Sequence, residues 1–231
     1  MTAPASPAPN GPVRARLTHE RVIQAAVELV DGHALEALTM RRLGSSLGVE
    51  AMSLYKHVRN KEAILDGIVE RVVAEIGSPA DPHLSWQEAL RHRAVASRQV
   101  LRAHPWAIGL LESRRPLGPG QLRSLDAALG NLRSAGFAIE EAAHALWLVD
   151  AFVYGQVVQE TSQQLAPPAE AAPAAEEALA QMAASGYRYL DEIAQHALTA
   201  AFSVDEEFDF GLSLILTALE DRHDKGSGPT Q

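Results

Sequence analysis

Residues 39–61 read TMRRLGSSLGVEAMSLYKHVRNK, and this stretch decides the fold. Thr39 is of the residue type that caps helices, and apolar residues recur behind it at helical spacing. Gly48 then stands where the chain needs a turn residue that accepts a positive φ. A second short helix is predicted over 50–57. The stretch therefore predicts two short helices joined by a glycine turn, a helix-turn-helix over about 39–58.

A helix-turn-helix places its first helix across the DNA backbone and its second helix in the major groove. Gly44 is small where the two helices would cross, and Val49 and Leu54 fill the space beneath. Hydroxyl groups can meet base edges or phosphates, and small apolar side chains can contact thymine methyl groups. The residues that the second helix offers on its exposed face are Ala51, Met52, Ser53, Tyr55 and Lys56.

Cations surround this pattern. Arg41 begins the first helix, where an arginine can reach a phosphate. His57, Arg59 and Lys61 lie around the start of the next helix, which Asn60 caps and which continues to about residue 76. The N–H groups of a helix start also attract phosphate. Because a lysine is unfavourable at that end of the helix dipole, its presence at position 61 indicates a functional cation.

The segment from residue 17 to about 76 resembles the DNA-binding domain of the tetracycline-repressor (TetR) family. The resemblance implies that Tyr55, His57 and Lys61 contact backbone phosphates, and that Arg41 and residues 51–53 help to read bases. The capping Thr39 and Lys56 complete the candidate DNA-contacting residues. The motifs that carry this resemblance to the TetR family are Thr39-Met40-Arg41-Arg42-Leu43, Leu47-Gly48-Val49, Ser53-Leu54-Tyr55-Lys56-His57-Val58 and Asn60-Lys61.

Several of these residues also have structural interpretations. Tyr55 follows the predicted core residue Leu54 and could itself be a core aromatic. His57 could simply cap the end of its helix. Arg42 is placed on a solvated face, and Glu50 is read as structural because DNA would repel it.

Composition limits the class of protein. The chain has 231 residues and is 47% hydrophobic, which allows one or two domains with a sizeable core. The absence of cysteine excludes disulfides and thiolate metal sites and fits a reducing cytoplasm. No run of apolar residues is long enough to span a membrane, so no membrane partner is expected. We therefore expect a cytoplasmic protein.

The charge is unevenly distributed. The whole chain carries a formal net charge of -9. Residues 14–61 hold eight Lys and Arg against five Asp and Glu, a net charge of +3, which leaves -12 for the remainder. A basic end on an acidic body is typical of a localised DNA contact, although chance clustering of surface charge gives the same pattern.

The hydrophobic pattern is helical nearly throughout, so the predicted fold class is all-α. We expect an N-terminal three-helix helix-turn-helix domain and a C-terminal helical bundle that binds a ligand and dimerises. The predicted divisions are a disordered tail over 1–13, the DNA-binding domain over 14–60, a connecting helix and linker over 61–84, the C-terminal regulatory domain over 85–223 and a disordered tail over 224–231. Helices in the body are predicted over 85–103, 105–113, 121–135, 139–163, 175–202 and 206–222, with a mobile Ala-Pro-rich break over 165–175.

The resemblance extends into the body and implies a helical domain that encloses a small-molecule pocket. Its landmarks are Ser85-Trp86-Gln87-Glu88, Arg114-Arg115-Pro116 and Ser134-Ala135-Gly136-Phe137. Aligned on these landmarks, Leu110 or Leu111 replaces the metal-binding histidine of the tetracycline repressors, and Arg93 and Ser97 replace an amide and an aromatic. We therefore expect no cofactor, and an effector other than the tetracycline–magnesium chelate.

The candidate pocket residues are aromatic and polar side chains expected to face inward on the central helices. For each of them, a role in packing is the competing interpretation. Two Glu/His pairs at i, i+4 spacing, Glu140/His144 and Glu192/His196, could each offer two metal ligands, but a solvated pair is favoured and no metal site is predicted. The pocket candidates are His104, Trp106, Trp147, Phe152 and Tyr154.

One recognition helix makes few contacts, so a homodimer reading a palindromic operator is expected, with half-sites about 34 Å apart or a multiple of that. The helices over 139–163 and 206–222 are the predicted dimer interface. The sequence carries no nucleophile–base signature or phosphate loop, which argues against an enzyme. The leading hypothesis is a ligand-responsive transcriptional repressor released from DNA by a small-molecule effector. The alternative is a DNA-binding dimer without such an effector.

Overall fold

A computed structural model describes residues 16–77, 83–164, 168–199 and 203–226. Helices connected by turns make up these ranges, and no strand occurs within them. The predicted all-α fold is confirmed. The helices are α1 (His19–Asp31), α2 (Met40–Leu47), α3 (Ala51–Leu54), α4 (Lys61–Ile76), α5 (Trp86–Ala103), α6 (Trp106–Ser113), α7 (Pro119–Ser134), α8 (Ile139–Gln164), α9 (Pro168–Ala184), α10 (Arg188–Thr199) and α11 (Val204–Gly226), with a 3₁₀ turn at Leu35–Ala37.

The chain divides into two compact units between Ile68 and Val69. The first unit, here called the head, contains α1 to α3 and the first half of α4. The second unit, here called the body, contains the second half of α4 and every later helix. Each unit has buried apolar residues of its own.

Local sequence signals set the helix boundaries in the head. The Thr18 hydroxyl accepts a hydrogen bond from the Arg21 N–H at 3.2 Å, and the Thr39 hydroxyl accepts one from the Arg42 N–H at 3.2 Å. Each bond satisfies a donor that the first turn of a helix leaves free. The α2–α3 turn is closed by Gly48, whose φ of 67° is in the left-handed region. The caps and the turn predicted from the sequence are confirmed.

The head buries one face of each helix. Because α1 and α4 are long, they provide most of its core, while α2 and α3 contribute one or two large side chains each. Burial of these side chains fixes the short α3, which has too few residues to be stable alone. The buried apolar residues are Val22, Ile23, Ala26, Val27, Val30, Leu38, Leu43, Leu54, Val58, Ile64, Leu65 and Ile68.

The body is built around α8, which packs against α5, α7 and α11. A capping box between Ser85 and Glu88 begins α5, and Pro105 precedes the short α6. One face of α8 is buried along most of its length, as expected of a central helix. Its buried apolar residues are Ala142, Ala145, Leu146, Val149, Val153 and Val157.

The single helix predicted over 175–202 is wrong. Two helices, α9 and α10, occupy this region, and Gly186 separates them with a φ of 74°. Glycine has no Cβ and accepts this conformation without strain. The Ala-rich flanks have high helix propensity, which concealed the break.

Three boundaries also differ from the prediction. The helix α9 begins at Pro168, inside the expected break, because proline is tolerated in the first turn of a helix. The recognition helix is regular only over Ala51–Leu54 and continues as turns to residue 57. The last helix extends to Gly226, past the expected start of the tail. The tail predicted over 1–13 lies outside the described residues.

None of the helices in the described ranges combines the length and apolar character that crossing a bilayer requires.

Candidate functional site

The crossing of α2 and α3 depends on a glycine. A Cβ placed on Gly44 would lie 2.8 Å from the Val49 carbonyl oxygen and 3.2 Å from the Ala51 nitrogen. Both atoms belong to the backbone and cannot rotate away. The Val49 N–H also donates to the Gly44 carbonyl at 2.9 Å. Gly44 therefore allows the close approach that holds α3 at a fixed angle, as the sequence predicts.

The turn of helix at α3 separates its side chains into two sets. Leu54 and Val58 are buried in the head. Met52 is 74% exposed and Tyr55 is 47% exposed. This exposure excludes the interpretation of Tyr55 as a core aromatic, while its contact with phosphate stays a prediction. The exposed set forms an amphipathic surface that matches a base edge flanked by phosphates.

Polar groups on this surface remain available to a ligand. Arg41 and Lys56 are exposed, and Ser53 and Ala51 are half-buried. The exposed Thr39 uses its oxygen to cap α2, and a hydroxyl that accepts there can still donate to a phosphate.

A cleft of about 490 Å³ opens beside the start of α4. Asn60 caps α4 through a hydrogen bond from the Ala63 N–H at 2.8 Å, and Lys61 is exposed next to it. A ring nitrogen of His19, Nδ1, lies 3.1 Å from the His57 carbonyl oxygen. The cleft is lined by His19, His57, Val58, Arg59, Asn60, Glu62, Ala63 and Asp66.

His19 is a member of this site that the sequence did not reveal. It lies 38 residues before His57, and no local pattern links the two positions. Its only signal was its place in the first turn of the helix that Thr18 caps, where N–H groups favour anions.

The residues predicted to line a pocket in the body do not converge on one place. His104 Nε2 lies 3.2 Å from Glu75 Oε2, and its ring meets Trp106 edge-on with centroids 5.8 Å apart. Phe152 instead stacks on Phe208 with centroids 5.4 Å apart. Tyr154 is half-buried against the main core. Their roles in ligand binding stay predictions.

The expected inward orientation of Trp147 is wrong. Its side chain is 66% exposed, whereas Tyr154, two turns further along α8, is half-buried. A seven-residue spacing places both on nearly one face, but burial also depends on which helices cover each level of α8. Tyr154 packs against the main core, whereas the part of this face that carries Trp147 is exposed even though Leu146 and Val149 beside it are buried.

A polar cluster inside the body was not among the predicted site residues. Arg93 on α5 donates from Nη2 to both carboxylate oxygens of Asp150 on α8, at 3.1 and 3.0 Å, and from Nη1 to the Ser124 hydroxyl on α7, at 2.9 Å. The side chains of Arg93 and Asp150 are only 12% and 15% exposed. The sequence signal that could have revealed it is a carboxylate in the middle of α8, where Asp150 stands between the apolar residues Val149 and Ala151.

Burial changes the acidity of this cluster. Desolvation raises the pKa of Asp150 above its ordinary value, and the nearby Arg93 charge offsets part of that rise. Burial also raises the pKa of Tyr154, with a further contribution from the negative charge of Asp150. The Tyr154 phenol is therefore a neutral hydrogen-bond donor at physiological pH.

A second buried ion pair joins other parts of the same helices. Arg98 on α5 donates from Nε to Glu160 on α8 at 2.9 Å and from Nη2 to the Val204 carbonyl at 3.3 Å. Asp205 lies 2.8 Å from Arg98 Nη2, and the Phe208 ring centroid lies 4.5 Å from the guanidinium carbon. This arginine ties α5, α8 and the start of α11 together.

In the ranges that the structure describes, no group of three or more His, Cys, Asp or Glu side chains could hold a metal ion. Of the two Glu/His pairs considered from the sequence, Glu192 accepts a hydrogen bond from Arg188 at 3.0 Å on the surface, and His144 lies beside Trp147.

Two family models match the chain. Residues 22–68 match the model described as bacterial regulatory proteins, tetR family, and residues 78–223 match the model described as tetracyclin repressor-like, C-terminal domain. The two matches together account for most of the sequence.

Individual proteins are similar over most of their length. The HTH-type transcriptional repressor DrrR1 of Streptomyces coeruleorubidus is 33% identical over 212 residues, which cover 88% of this chain and 77% of DrrR1. The class C tetracycline repressor protein of Escherichia coli is 32% identical over 89% of this chain and 91% of its own length. The structure of ActR from Streptomyces coelicolor in complex with actinorhodin superposes with a TM-score of 0.75 at 28% identity, covering 89% of this chain and 96% of ActR.

Proposed function

This chain belongs to the TetR family of bacterial regulatory proteins and is a ligand-responsive DNA-binding regulator, and on that premise we propose how it acts. It binds a palindromic operator as a homodimer, represses transcription there and is released by a small-molecule effector. The family consists of regulators and not of enzymes. Because its proposed target is DNA and its family consists of bacterial regulatory proteins, we place its action in the cytoplasm.

The observation that carries the proposal is the geometry of α3. Gly44 lets α3 pack closely on α2, while Leu54 anchors it in the core of the head. The opposite face then presents the 74% exposed Met52 beside Ser53. A large apolar side chain held outward on a rigid helix, between hydroxyls and cations, suits contact with thymine methyl groups in the major groove.

Residues around this face supply the proposed phosphate contacts. Tyr55 is half exposed, and Lys61 is exposed at the start of α4, where the free N–H groups also attract phosphate. We assign His57 and Lys56 to the same role and Arg41 and Ala51 to base reading, with Thr39 contacting the backbone from the start of α2.

Exposed apolar side chains support a dimer through α8 and α11. Both helices bury one face in the body and leave large apolar groups on another face. Several large exposed apolar side chains on two helices that pack together favour an interface. The exposed residues are Ile139, Trp147, Leu148 and Val158 on α8 and Phe210 and Leu214 on α11. They fall within the ranges 139–163 and 206–222 predicted for dimerisation.

A contact between α4 and the start of α7, here called the clasp, supports the proposed response to a ligand. Glu70 on α4 accepts hydrogen bonds from the Gly120 N–H at 2.7 Å and the Gln121 N–H at 3.3 Å, at the start of α7. One turn further along α7, Ser124 accepts from Arg93. A ligand that displaced the first turns of α7 would therefore also displace the second half of α4, a helix that begins in the head.

The DNA-binding proposal is tested with duplexes selected from a randomised pool by the full-length protein. We expect a palindromic consensus, and fluorescence anisotropy should show affinity that falls steeply with salt. Replacing Lys61 with alanine should weaken binding about tenfold and reduce the salt dependence by about one counterion per half-site. Lys225→Ala, which removes an exposed cation at the end of α11, is the matched control and should change neither quantity. Selection of no palindrome, or unaltered binding by Lys61→Ala, would contradict the proposal.

The dimer is tested by sedimentation equilibrium of the Phe210→Glu/Leu214→Glu variant. Two carboxylates within the proposed apolar interface should shift the protein to the monomer mass. Leu122→Glu is the matched control, because Leu122 is similarly exposed on α7 but lies outside the interface. A double variant that keeps the dimer mass would place the interface elsewhere.

A further inference from the structure

Three helices of the body converge on the guanidinium group of Arg93. Asp150 on α8 receives two hydrogen bonds from Nη2, and Ser124 on α7 receives one from Nη1. Tyr154, one turn after Asp150, lies close enough to be influenced by the charges of both Arg93 and Asp150.

One donor of the cluster has no acceptor. Arg93 Nε is buried and finds no hydrogen-bond partner within the part of the chain that the structure describes. An unsatisfied buried N–H costs about 1–3 kcal/mol, and more when the group is charged. Folded proteins satisfy nearly all such groups, so we expect a molecule other than the protein, either water or a ligand, to accept from this N–H.

The second buried arginine differs in that its own Nε has an acceptor, although Oε2 of its partner Glu160 has no hydrogen-bond partner among the described residues and lies 3.2 Å from Arg102 Nε. Arg98 directs its Nε to Glu160 and its Nη2 to the Val204 carbonyl, and its flat face lies against Phe208. The role of Arg98 is therefore structural, because its hydrogen bonds go to the helices that it joins. Arg93 forms a comparable ion pair but leaves Nε free.

The surroundings define what could complete the site. Arg93 Nε needs an acceptor, and an anionic oxygen gives the strongest bond. The Asp150 carboxylate can accept a hydrogen bond from a hydroxyl group, and the neutral Tyr154 phenol can donate one. Beyond these groups the surroundings are apolar, since partly buried Leu125 and Leu129 of α7 pack on the core.

We propose that Arg93, Ser124, Asp150 and Tyr154 form the polar anchor of the effector site, and that the effector is an apolar ring system bearing a carboxylate next to a hydroxyl. The carboxylate takes the Nε hydrogen bond of Arg93, and the neighbouring hydroxyl donates to Asp150. The remainder of the ring system lies against the leucines of α7. This inference rests on the proposed ligand response.

The anchor also connects to the clasp described above. Ser124, which accepts from Arg93 Nη1, lies one turn from the Gly120 and Gln121 N–H groups held by Glu70, so an effector that shifts the guanidinium group on binding its Nε also shifts this contact with α7. Occupation of the anchor is therefore coupled to the position of α7 relative to α4. By reciprocity, DNA binding and binding at the anchor must weaken each other equally.

The probe is 3-hydroxy-2-naphthoic acid, whose fluorescence reports binding to the full-length protein. Its neutral analogue, 3-hydroxy-2-naphthamide, has the same rings and hydroxyl group. We expect the acid to bind at least about tenfold more tightly than the amide, because only the acid gives a charge-assisted bond to Arg93. The acid should also lower affinity for the selected duplex.

Arg93→Lys keeps the positive charge but removes the Nε donor, and it should reduce affinity for the acid at least about tenfold and affinity for the amide by a smaller factor, because a neutral carbonyl accepts a weaker hydrogen bond than a carboxylate. Arg91→Lys, on the same helix and more exposed, is the matched control and should bind the acid like the wild type. If Arg93→Lys does not fold, Tyr154→Phe serves instead, since it loses one oxygen and retains the ring. It should weaken binding of the acid several-fold.

Equal binding of acid and amide, no binding of the acid, or unaltered acid binding by Arg93→Lys or Tyr154→Phe would each overturn the anchor. Binding of the selected duplex is measured in the same samples. If the protein binds that duplex but any of these outcomes is found for the acid, the proposed anchor is wrong and the proposed DNA-binding function is unaffected. If it binds no duplex, the proposed function itself is wrong.

Discussion

The head and the body use arginine and lysine in opposite ways. In the head, Arg41, Lys56 and Lys61 extend into solvent around the recognition helix. In the body, Arg93 and Arg98 are almost enclosed, with side chains 12% and 10% exposed, and each has a carboxylate partner within 3.0 Å.

Desolvation explains the difference. A cation on the surface costs little to fold and stays available to a charged partner such as phosphate. A buried cation loses its water and must be paired inside the protein. Substitutions in the head should therefore change DNA affinity with little effect on stability, whereas substitutions at the buried pairs should reduce stability.

The largest expected effect is on stability, at the enclosed carboxylate of the body. Glu160→Gln removes the enclosed carboxylate partner of Arg98 and leaves only the 74% exposed Asp205 beside it, which should cost about 3 kcal/mol, the lower end for a broken buried pair. The shift of the urea unfolding midpoint at fixed protomer concentration measures this loss. Asp209→Asn is the control, because Asp209 lies 3.9 Å from Arg91 in an exposed pair and should contribute less than about 1 kcal/mol. Equal losses for the two variants would contradict the argument that enclosure, and not the presence of an ion pair, sets the effect on stability.

The corresponding substitution in the head is Met52→Ala. It should weaken binding of the selected duplex by about 1–2 kcal/mol through loss of contact with a base. The unfolding midpoint should stay within about 0.5 kcal/mol of the wild type, because Met52 is exposed. Met182→Ala on α9 is the control and should alter neither property. A large loss of stability with Met52→Ala would mean that α3 is held differently.

An intermediate effect is expected at the clasp. Glu70→Gln keeps the shape of the side chain but removes the charge that accepts two N–H groups at the start of α7, and it should cost about 1 kcal/mol. Thermal unfolding measures the change. Glu207→Gln, an exposed residue in the first turn of α11, is the matched control. An unchanged melting temperature for Glu70→Gln would show that the clasp does not stabilise α7.

The smallest effect is a pH dependence. Because burial raises the pKa of Asp150, the folded protein holds that proton more tightly than the unfolded chain. The stability from this group is fully present below its unfolded pKa and is lost as pH rises through the folded pKa. The urea unfolding midpoint of the wild type, measured relative to that of Asp150→Asn, should therefore rise as pH falls from 7 toward ~4, where an ordinary carboxyl group titrates. A constant difference would contradict the raised pKa.

Local signals made most of the fold predictable. Thr18, Thr39 and Gly48 act within one turn of their own positions, so the sequence alone indicates where α1 and α2 begin and where α2 ends. Gly186 also takes a positive φ and ends a helix, as Gly48 does. The alanine-rich sequence before it continues the helical pattern, so the break at Gly186 was not predicted.

Non-local geometry accounts for what the sequence did not predict. The burial of Trp147 depends on which helices cover α8, and the partnership of Arg93 with Asp150 joins residues 57 positions apart. No periodicity in one segment encodes such a pairing. The exposed face of α3 was predictable because it follows from the turn that precedes it.

The tight crossing at Gly44 has a consequence for genetics. Every single-base change in a glycine codon that alters the residue adds a Cβ, and any Cβ here would meet the Val49 carbonyl oxygen at 2.8 Å. Because a clash with backbone cannot be relieved by a change of rotamer, each such allele should displace α3. A screen for constitutive expression of the regulated genes should therefore recover many different alleles at codon 44, a position whose residue is buried and has no side chain with which to reach DNA.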